Sequence, residues 1–292
     1  MTTGTVSELN LFPIKSCGGV SVDEAQVIAT GFEGDRQWQV SSDGKPVTQR
    51  QKSILATVRP RPIEGGLRLT APGRDPLEVA RPAEADAETT VLIGVPLPVA
   101  DAGDEAAAWF AALLDDPGAR LHALPADGGL SIPEAIDVFD QPIAFGDLAP
   151  VLVANTASLE WLVARAGEPF AMDRFRANAV VATDEPFAED TWARFRLGEV
   201  QIRHGLAWPR CSIPQVDQDT GDRHREPAQV MATHRRVAEA PDLPEAVQPI
   251  VIGSAVFGVG CGVGPVGAVV RVGDALAVEE TMTPLLAAPV GA

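Results

Sequence analysis

Among the side chains suited to chemistry, Cys211 stands out because it follows directly on Arg210. An arginine beside a thiol favours the thiolate, which is the form that ligates a soft metal or acts as a nucleophile. The alternative is a buried and inert thiol, which is the commoner fate of a single cysteine. We expect no zinc site around Cys211, because the histidines do not show the spacing of zinc ligands: His122, His204, His224 and His234.

Basic residues within the first fifty positions are suited to binding an anion. Lys15 and Ser16 place an ammonium beside a hydroxyl, a pair that suits a phosphate or another oxyanion. Arg36 and Arg50 flank a predicted hairpin with an Asp-Gly turn, so their guanidiniums should lie near the same end. The alternatives are a solvated loop for the Lys-Ser pair and, for the arginines, neutralisation by acids such as Asp35.

A second basic segment leads into a predicted strand over residues 179–182. Arg174 and Arg176 stand two positions apart, so in an extended chain both side chains should point to the same side. Asn178 can offer both a donor and an acceptor to a polar heterocycle. The segment therefore suits an anion or a heterocyclic ligand, with an ordinary surface rim as the alternative.

The glycine pattern at residues 262–267 satisfies G-x-G-x-x-G by letter only. The residues after it are β-branched and predict a strand, whereas a dinucleotide site requires a helix there. We therefore expect no NAD site. The three cysteines of the chain cannot supply the four thiolates of an iron–sulfur cluster, so we expect no such cluster.

The charge of the chain argues against two classes of partner. There are 40 acidic residues against 23 basic ones, for a net charge of −17. Such a surface repels nucleic-acid phosphates and anionic membrane faces, so neither nucleic acid nor membrane is an expected partner. No apolar run approaches the roughly 18 residues of a membrane span, and no signal peptide is visible. We expect a cytoplasmic protein with reduced thiols.

The elements that must position these residues are mainly strands. Short alternating segments fill the first hundred residues, and a helix follows from Asp104 to the Asp-Pro-Gly stop that begins at Asp116. A buried strand then precedes Asn155, the predicted N-cap of a second helix. We expect a mainly β, β-rich α+β fold of two tandem β-barrel-like domains with a few peripheral helices. The predicted domains are residues 1–125 and residues 126–292.

Ten segments of the chain, taken together and in order, form a recognisable pattern: LFPIKSCGGVSVDEA, GDRQWQV, TQRQ, ANTASLEWL, RFRANAVV, EPFAEDTW, RLGEV, RCSIPQVDQDTG, REP and VRVGD. This pattern resembles the MOSC family, named for the C-terminal domain of molybdenum-cofactor sulfurase. It is similar to the two-domain members with an N-terminal MOSC β-barrel, such as the mitochondrial amidoxime-reducing component and its bacterial relatives. Two departures, Trp208-Pro209 and Gly260, replace residues that are usually polar, and departures near Cys211 are expected to reshape the substrate pocket.

This resemblance implies a role for each candidate residue. Cys211 would be the protein ligand to molybdenum and the catalytic residue. The residues implied to bind the molybdenum-pterin cofactor are Lys15, Ser16, Arg36, Asn155, Ser158, Arg176, Asn178 and Arg210.

The resemblance also implies a reaction. We expect a molybdenum-cofactor-dependent reductase of N-hydroxylated or N-oxide small molecules that takes electrons from a separate reductase. The alternative from another class is a carrier of the cofactor or of sulfur, without turnover.

Overall fold

Strands dominate the fold, as the computed structural model shows for residues 3–83, 88–126 and 128–286. The outer ends of the two predicted domains, residues 1–2 and 287–292, lie outside these described residues. Only four α-helices occur in the described part of the chain. The predicted mainly β fold with a few helices is therefore confirmed.

The strands of the first part of the chain are β1 (Thr3–Leu11), β2 (Val20–Val22), β3 (Glu24–Ile28), β4 (Gly31–Phe32), β5 (Trp38–Ser42), β6 (Lys45–Pro46), β7 (Arg59–Ile63), β8 (Gly66–Ala71), β9 (Arg74–Ala80), β10 (Glu88–Leu92), β11 (Val95–Asp101) and β12 (Ala119–Ala123). Helix α1 (Asp104–Leu114) lies between the last two of them.

The later strands are β13 (Val151–Asn155), β14 (Ala179–Ala182), β15 (Trp192–Leu197), β16 (Val200–Pro209), β17 (Val256–Gly264), β18 (Val269–Arg271) and β19 (Ala275–Thr281). The helices among them are α2 (Thr156–Val163), α3 (Ala228–His234) and α4 (Gln248–Val251). Short 3-10 helices occur at Ser53–Thr57, Glu134–Ile136, Met172–Phe175, Ala188–Thr191 and Ile213–Gln215.

Seven strands close into a barrel in the order β14-β13-β17-β16-β15-β19-β1, with β1 pairing back onto β14. β13 and β14 run parallel, and the other neighbours in the barrel are antiparallel. Alternate residues of these strands face inward and pack around Trp192 and Phe195. Because β1 pairs back onto β14, closure leaves no free strand edge among these seven strands.

The first strand of the chain, β1, belongs to this closed barrel. Thr5 of β1 pairs with Ala182 of β14 on one side and with Ala275 of β19 on the other. The chain therefore starts in the barrel built mostly from residues 151–281 and then enters the first domain. A single boundary near residue 125 does not describe β1, and for the rest of the chain that boundary stays a prediction.

A nearly closed, barrel-like sheet forms the first domain, in the order β10-β11-β12-β5-β6. The gap between its ends is bridged by Thr90, which accepts a hydrogen bond from Gln39 at 2.9 Å and donates to the Gly44 carbonyl at 3.4 Å. The sheet β7-β8-β9 and helix α1 pack on its core, with Trp109 and Phe110 buried. The two predicted barrels are thus one closed barrel and one nearly closed sheet.

Two local predictions are confirmed, and a third, the N-cap of the first helix, is wrong by one residue. Asp43 and Gly44 form the tight turn between β5 and β6 and have φ values of 50° and 70°, as a two-residue hairpin loop requires. Asn155 caps α2 by accepting a hydrogen bond from Ala157 N at 3.2 Å. The sequence predicts Asp104 as the N-cap of the first helix, but the N-cap is Gly103 and Asp104 is the first helical residue.

The prediction that Arg174 and Arg176 point to the same side is wrong. Residues Met172–Phe175 form a 3-10 turn, and Arg176 has a left-handed φ of 57°, so the segment is not extended. Arg174 pairs with Asp217 at 2.9 Å, whereas Arg176 lines the cavity described below. The turn of the chain separates the two side chains.

The glycine pattern of residues 262–267 lies at the end of β17 and in the turn before β18, so a strand rather than a helix follows it directly. Within the described residues, no helix is long and apolar enough to span a bilayer.

Candidate functional site

A cavity of about 470 Å³ collects seven of the nine predicted site residues. Its volume lies within the range of small-molecule sites in proteins, roughly 300–1,000 Å³. Residues 15–93 supply one part of the lining, and residues 136–250, from strands of the closed barrel and from the segments between them, supply the rest. The predicted residues that line it are Lys15, Ser16, Arg36, Arg176, Asn178, Arg210 and Cys211.

Three of these lining residues have backbone conformations that L side chains rarely adopt. Ser16, Arg36 and Arg176 have φ values of 64°, 49° and 57°. Such left-handed conformations cost on the order of 1–3 kcal/mol each in non-glycine residues, and they cluster at ligand sites. The fold thus holds three separate residues at this cavity in unfavourable conformations, which makes the cavity the candidate functional site.

Lys15 contributes charge to the cavity, but the protein already accepts all three of its hydrogen bonds. Its Nζ donates to the Phe145 carbonyl at 2.9 Å, the Gly146 carbonyl at 3.3 Å and Asp147 Oδ1 at 2.7 Å. The ammonium holds the pKa of the half-exposed Asp147 carboxyl well below its usual range. Lys15 therefore fixes the segment from Phe145 to Asp147 along the wall of the cavity.

Arg36 and Arg176 bring two guanidiniums together over one aromatic ring. They lie 4.7 and 4.3 Å from the centroid of the Phe12 ring, a cation–π arrangement for both. Burial, and then the positive charge of Arg36, lower the pKa of Arg176 to about 9. Asp35 pairs with Arg36, so it is the buried charge of Arg176 that favours an anionic ligand in this corner.

Arg36 combines the two alternatives considered from the sequence, which were a place at an anion site and neutralisation by an acidic neighbour. Its Nη1 donates to Asp35 Oδ2 at 2.6 Å and to Asn178 Oδ1 at 2.9 Å, and Nη2 donates to the Arg176 carbonyl at 3.2 Å. Arg36 is therefore neutralised by its neighbour Asp35, and it also lines the cavity together with Arg50, as the hairpin predicts.

Arg210 has buried donors that nothing in the described chain accepts. Its Nη2 donates to the Phe175 carbonyl at 2.7 Å, while Nε and Nη1 are buried without a hydrogen-bond partner among the described residues. Burial lowers the pKa of Arg210 to about 10. Leaving a buried charged donor unpaired costs about 1–3 kcal/mol, so the unpaired nitrogens call for an acceptor on a ligand.

Cys211 is the exposed thiol of the chain, and it lines the same cavity as Arg210. Cys17 and Cys261 are fully buried. Burial raises the pKa of Cys17 to about 12 and also raises the pKa of Cys261. The buried pair are held as neutral thiols, which leaves Cys211 as the cysteine that a ligand can reach.

Asn155 and Ser158 do not line the cavity. Both are fully buried, and both donate hydrogen bonds to Glu189 Oε2, at 3.2 and 2.8 Å. Ser158 Oγ also accepts a hydrogen bond from Phe187 N at 2.7 Å. These contacts tie α2 to the segment before β15, so they account for both side chains without a ligand.

Sequence reasoning missed the apolar part of the lining. Ile93, Ile136, Leu148 and Ile250 line the cavity, and they come from four segments that are far apart in the chain. No local pattern links these segments. The one sequence signal was Ile93-Gly94, a turn that places a β-branched residue at φ 46°.

Comparison with known proteins identifies the family. Residues 3–117 match the MOSC N-terminal beta barrel domain, and residues 140–277 match the MOSC domain. The chain is 37% identical over 247 residues to mitochondrial amidoxime reducing component 2 of Bos taurus, covering 80% of this chain and 72% of that protein. It is 33% identical over 285 residues to the Rattus norvegicus protein of the same name, covering 93% and 82%.

More distant similarities extend to another protein and to a solved structure. Molybdenum cofactor sulfurase of Bombyx mori is 26% identical over 252 residues, covering 78% of this chain and 30% of that longer protein. The YUAD protein from Bacillus subtilis aligns over 94% of both chains, with 11% identity and a TM-score of 0.39. On the two domain matches and the identity to the amidoxime-reducing components, the chain belongs to the MOSC family, as a member that carries both the N-terminal beta barrel domain and the MOSC domain.

Proposed function

We propose that this chain is a molybdenum-cofactor-dependent reductase of N-hydroxylated or N-oxide small molecules that takes its electrons from a separate reductase. The similarity to amidoxime-reducing components supports the reaction, and the similarity to molybdenum cofactor sulfurase supports the cofactor. The observation that carries the proposal is the exposed Cys211 thiol beside Arg210, whose buried Nε and Nη1 lack acceptors. The cytoplasmic location expected from the sequence stays a prediction.

The donors of the cavity fit an anionic cofactor that carries a soft metal. Arg36, Arg176 and Arg210 supply positive charge for a phosphate, and the unpaired nitrogens of Arg210 supply donors. The Ser16 side chain lines the cavity and adds a hydroxyl. A cysteine thiolate is a preferred ligand for a soft metal, so Cys211 would hold the molybdenum.

Two further residues would act through their neighbours. Asn178 accepts from Arg36 Nη1 and from Leu152 N, and its amide donates to the Asn10 carbonyl at 3.2 Å. Lys15 donates its three hydrogen bonds to residues 145–147. We assign both the task of fixing the shape and the charge of the cavity. We leave Asn155 and Ser158 out of the proposed cofactor site, because their contacts are internal.

When bound, the cofactor would supply the two-electron redox chemistry. Overall, an N-hydroxyl group takes up two electrons and two protons, the N–O bond breaks, and water leaves. The residues of the chain would hold the metal through Cys211, neutralise the cofactor's negative charge through the arginines and orient the substrate beside it.

The experiment is reduction of benzamidoxime to benzamidine by protein expressed in a host that makes the cofactor. Reduced viologen dye supplies the electrons, and NADH alone serves as the second arm. We expect turnover with the dye and none with NADH. Molybdenum binding without reduction of benzamidoxime or of an N-oxide would contradict the proposal and favour a carrier. The Cys211→Ser variant is the inactive control, and Cys261→Ala, which alters a buried thiol far along β17, is the matched active one.

A further inference from the structure

The cavity that gathers the arginines and Cys211 also has a continuous apolar lining. We call this lining the apolar wall, and it consists of Ile93, Ile136, Leu148, Trp208 and Ile250. All of these except Ile93 also pack against one hydrophobic cluster behind the cavity. Because these side chains pack against the cluster, their positions are held by the hydrophobic core.

Trp208 lies opposite an irregularity in strand pairing. Ala207 pairs with Val259 and Pro209 pairs with Val256, so one residue of β16 stands opposite two residues of β17. The second of those two, Gly258, has a φ of 68°, which a glycine adopts freely. Bulges of this kind re-aim side chains next to active sites. Here the bulge lies three residues before Cys211.

Gly260 provides the space in which the indole of Trp208 lies. A Cβ at Gly260 would be 2.5 Å from Cε3 and 2.6 Å from Cζ3 of the indole, and 2.9 Å from Cβ of Ala149. Real Cβ atoms do not approach other atoms this closely, so any side chain at position 260 would displace the indole. The indole position therefore depends on Gly260.

Ile93 completes the wall at an energetic cost to the fold. It is a β-branched residue with a φ of 46°, in the turn between β10 and β11, and its side chain is 40% exposed. A left-handed conformation is unfavourable for such a residue and persists at ligand clamps. Its apolar side chain nevertheless lines the cavity.

We infer that the apolar wall binds an uncharged aromatic substituent on the substrate, with Trp208, held in place by Gly260, as the residue that determines this preference. This inference rests on the proposed function, since the substituent belongs to the reducible compound. An aromatic ring gains contact area and stacking against the indole. A cationic substituent would instead meet a cavity with an excess of positive charge, since its lining has five basic residues, Lys15, Arg36, Arg50, Arg176 and Arg210, against the one carboxylate of Asp147.

The test compares benzamidoxime with acetamidoxime, which carries a methyl group in place of the ring. Binding is measured by calorimetry on the purified, oxidised protein without an electron donor, so turnover does not enter. We expect wild type to prefer benzamidoxime. Trp208→Ala should weaken benzamidoxime binding by about tenfold, the size that one hydrophobic contact gives, and leave acetamidoxime binding unchanged.

Two further variants distinguish the effect of displacing the indole from the effect of removing it. Gly260→Ala retains Trp208 but displaces the indole, so it should reproduce the loss, whereas Trp208→Phe should retain most of the preference. Val272→Ala, an exposed apolar residue outside the cavity, is the control that should match wild type.

Each result decides the inference. Equal binding of the two compounds by wild type, or an unchanged preference in both Trp208→Ala and Gly260→Ala, would overturn it. Loss of turnover with the binding preference intact would instead count against the proposed reaction and leave the apolar wall supported.

Discussion

The guanidinium of Arg36 donates a hydrogen bond to the side-chain oxygen of Asn178 across 2.9 Å, and this contact joins the first domain to the closed barrel at the cavity. The same oxygen accepts from Leu152 N at 3.1 Å, so it also fixes β13 beside β14. Arg36 therefore belongs both to the fold and to the candidate site. A ligand that binds there engages a contact that already ties the two domains together.

Because of this double role, we expect Arg36→Ala to destabilise the empty protein. Asp35 is only 4% exposed and would lose its ion-pair partner while keeping the hydrogen bond from Phe12 N, at a cost of about 1.5–3 kcal/mol in the free energy of unfolding. Cofactor-loaded protein should lose further stability, because a ligand contact is removed as well. The measurement is a pair of thermal melts, empty and loaded. Arg68→Ala, which breaks an exposed pair with Glu78, is the control that should change little. An unchanged melt of the empty protein would show that the interdomain contact is not needed.

Asn155→Ala should lower stability without emptying the cofactor site. The variant loses the N-cap of α2, worth about 1 kcal/mol, and removes a donor from buried Glu189. Thermal melting and molybdenum content per folded chain report the two effects separately. Loss of molybdenum from well-folded Asn155→Ala protein would show instead that Asn155 contributes to cofactor binding.

Glu189 should make the fold less stable as the pH rises. Burial, and then the charge of Asp190, raise the pKa of Glu189 to about 7 from an ordinary value of 4.5. The folded chain thus holds this proton more tightly than the unfolded chain does. The contribution to stability is full below about pH 4.5 and is lost as the pH rises through about 7.

Glu189→Gln removes this titration and retains an oxygen that can accept from Asn155 and Ser158. Between pH 5 and pH 8, the melting temperature of wild type should therefore fall relative to that of the variant. Melts at four pH values check this. A difference between the two proteins that stays constant over the range would mean that Glu189 does not titrate there.

Local signals in the sequence were enough to predict the turn at Asp43-Gly44, the cap at Asn155 and the meeting of Arg36 with Arg50. Each depends on residues that are close together in the chain. The position of β1 was not predictable in this way, because its pairing of Thr5 with Ala182 joins distant segments whose pattern names no partner. Arg174 was misjudged because a short 3-10 turn interrupts an apparently extended segment.

For the candidate site, the sequence predicted the charged residues but not their hydrogen-bond partners or the apolar lining. The charged residues could be proposed from their types, and the resemblance to a family joined them into one site. The internal use of Lys15 by residues 145–147, and of Ser158 by Glu189, became apparent only from three-dimensional contacts. The apolar wall has no local pattern either, since packing of distant segments creates it.

The central claim is that Cys211 ligates molybdenum in this cavity. The most direct measurement is the molybdenum content of purified wild type, Cys211→Ser and Cys261→Ala from one cofactor-competent host, with thermal melts to confirm folding. We expect about one molybdenum per chain in wild type and in Cys261→Ala, because the latter alters only a buried thiol. Because the thiol is exposed, Cys211→Ser should melt as empty wild-type protein does, and it should lose the metal or its reductase activity. A folded Cys211→Ser protein with full molybdenum content and wild-type activity would contradict the account.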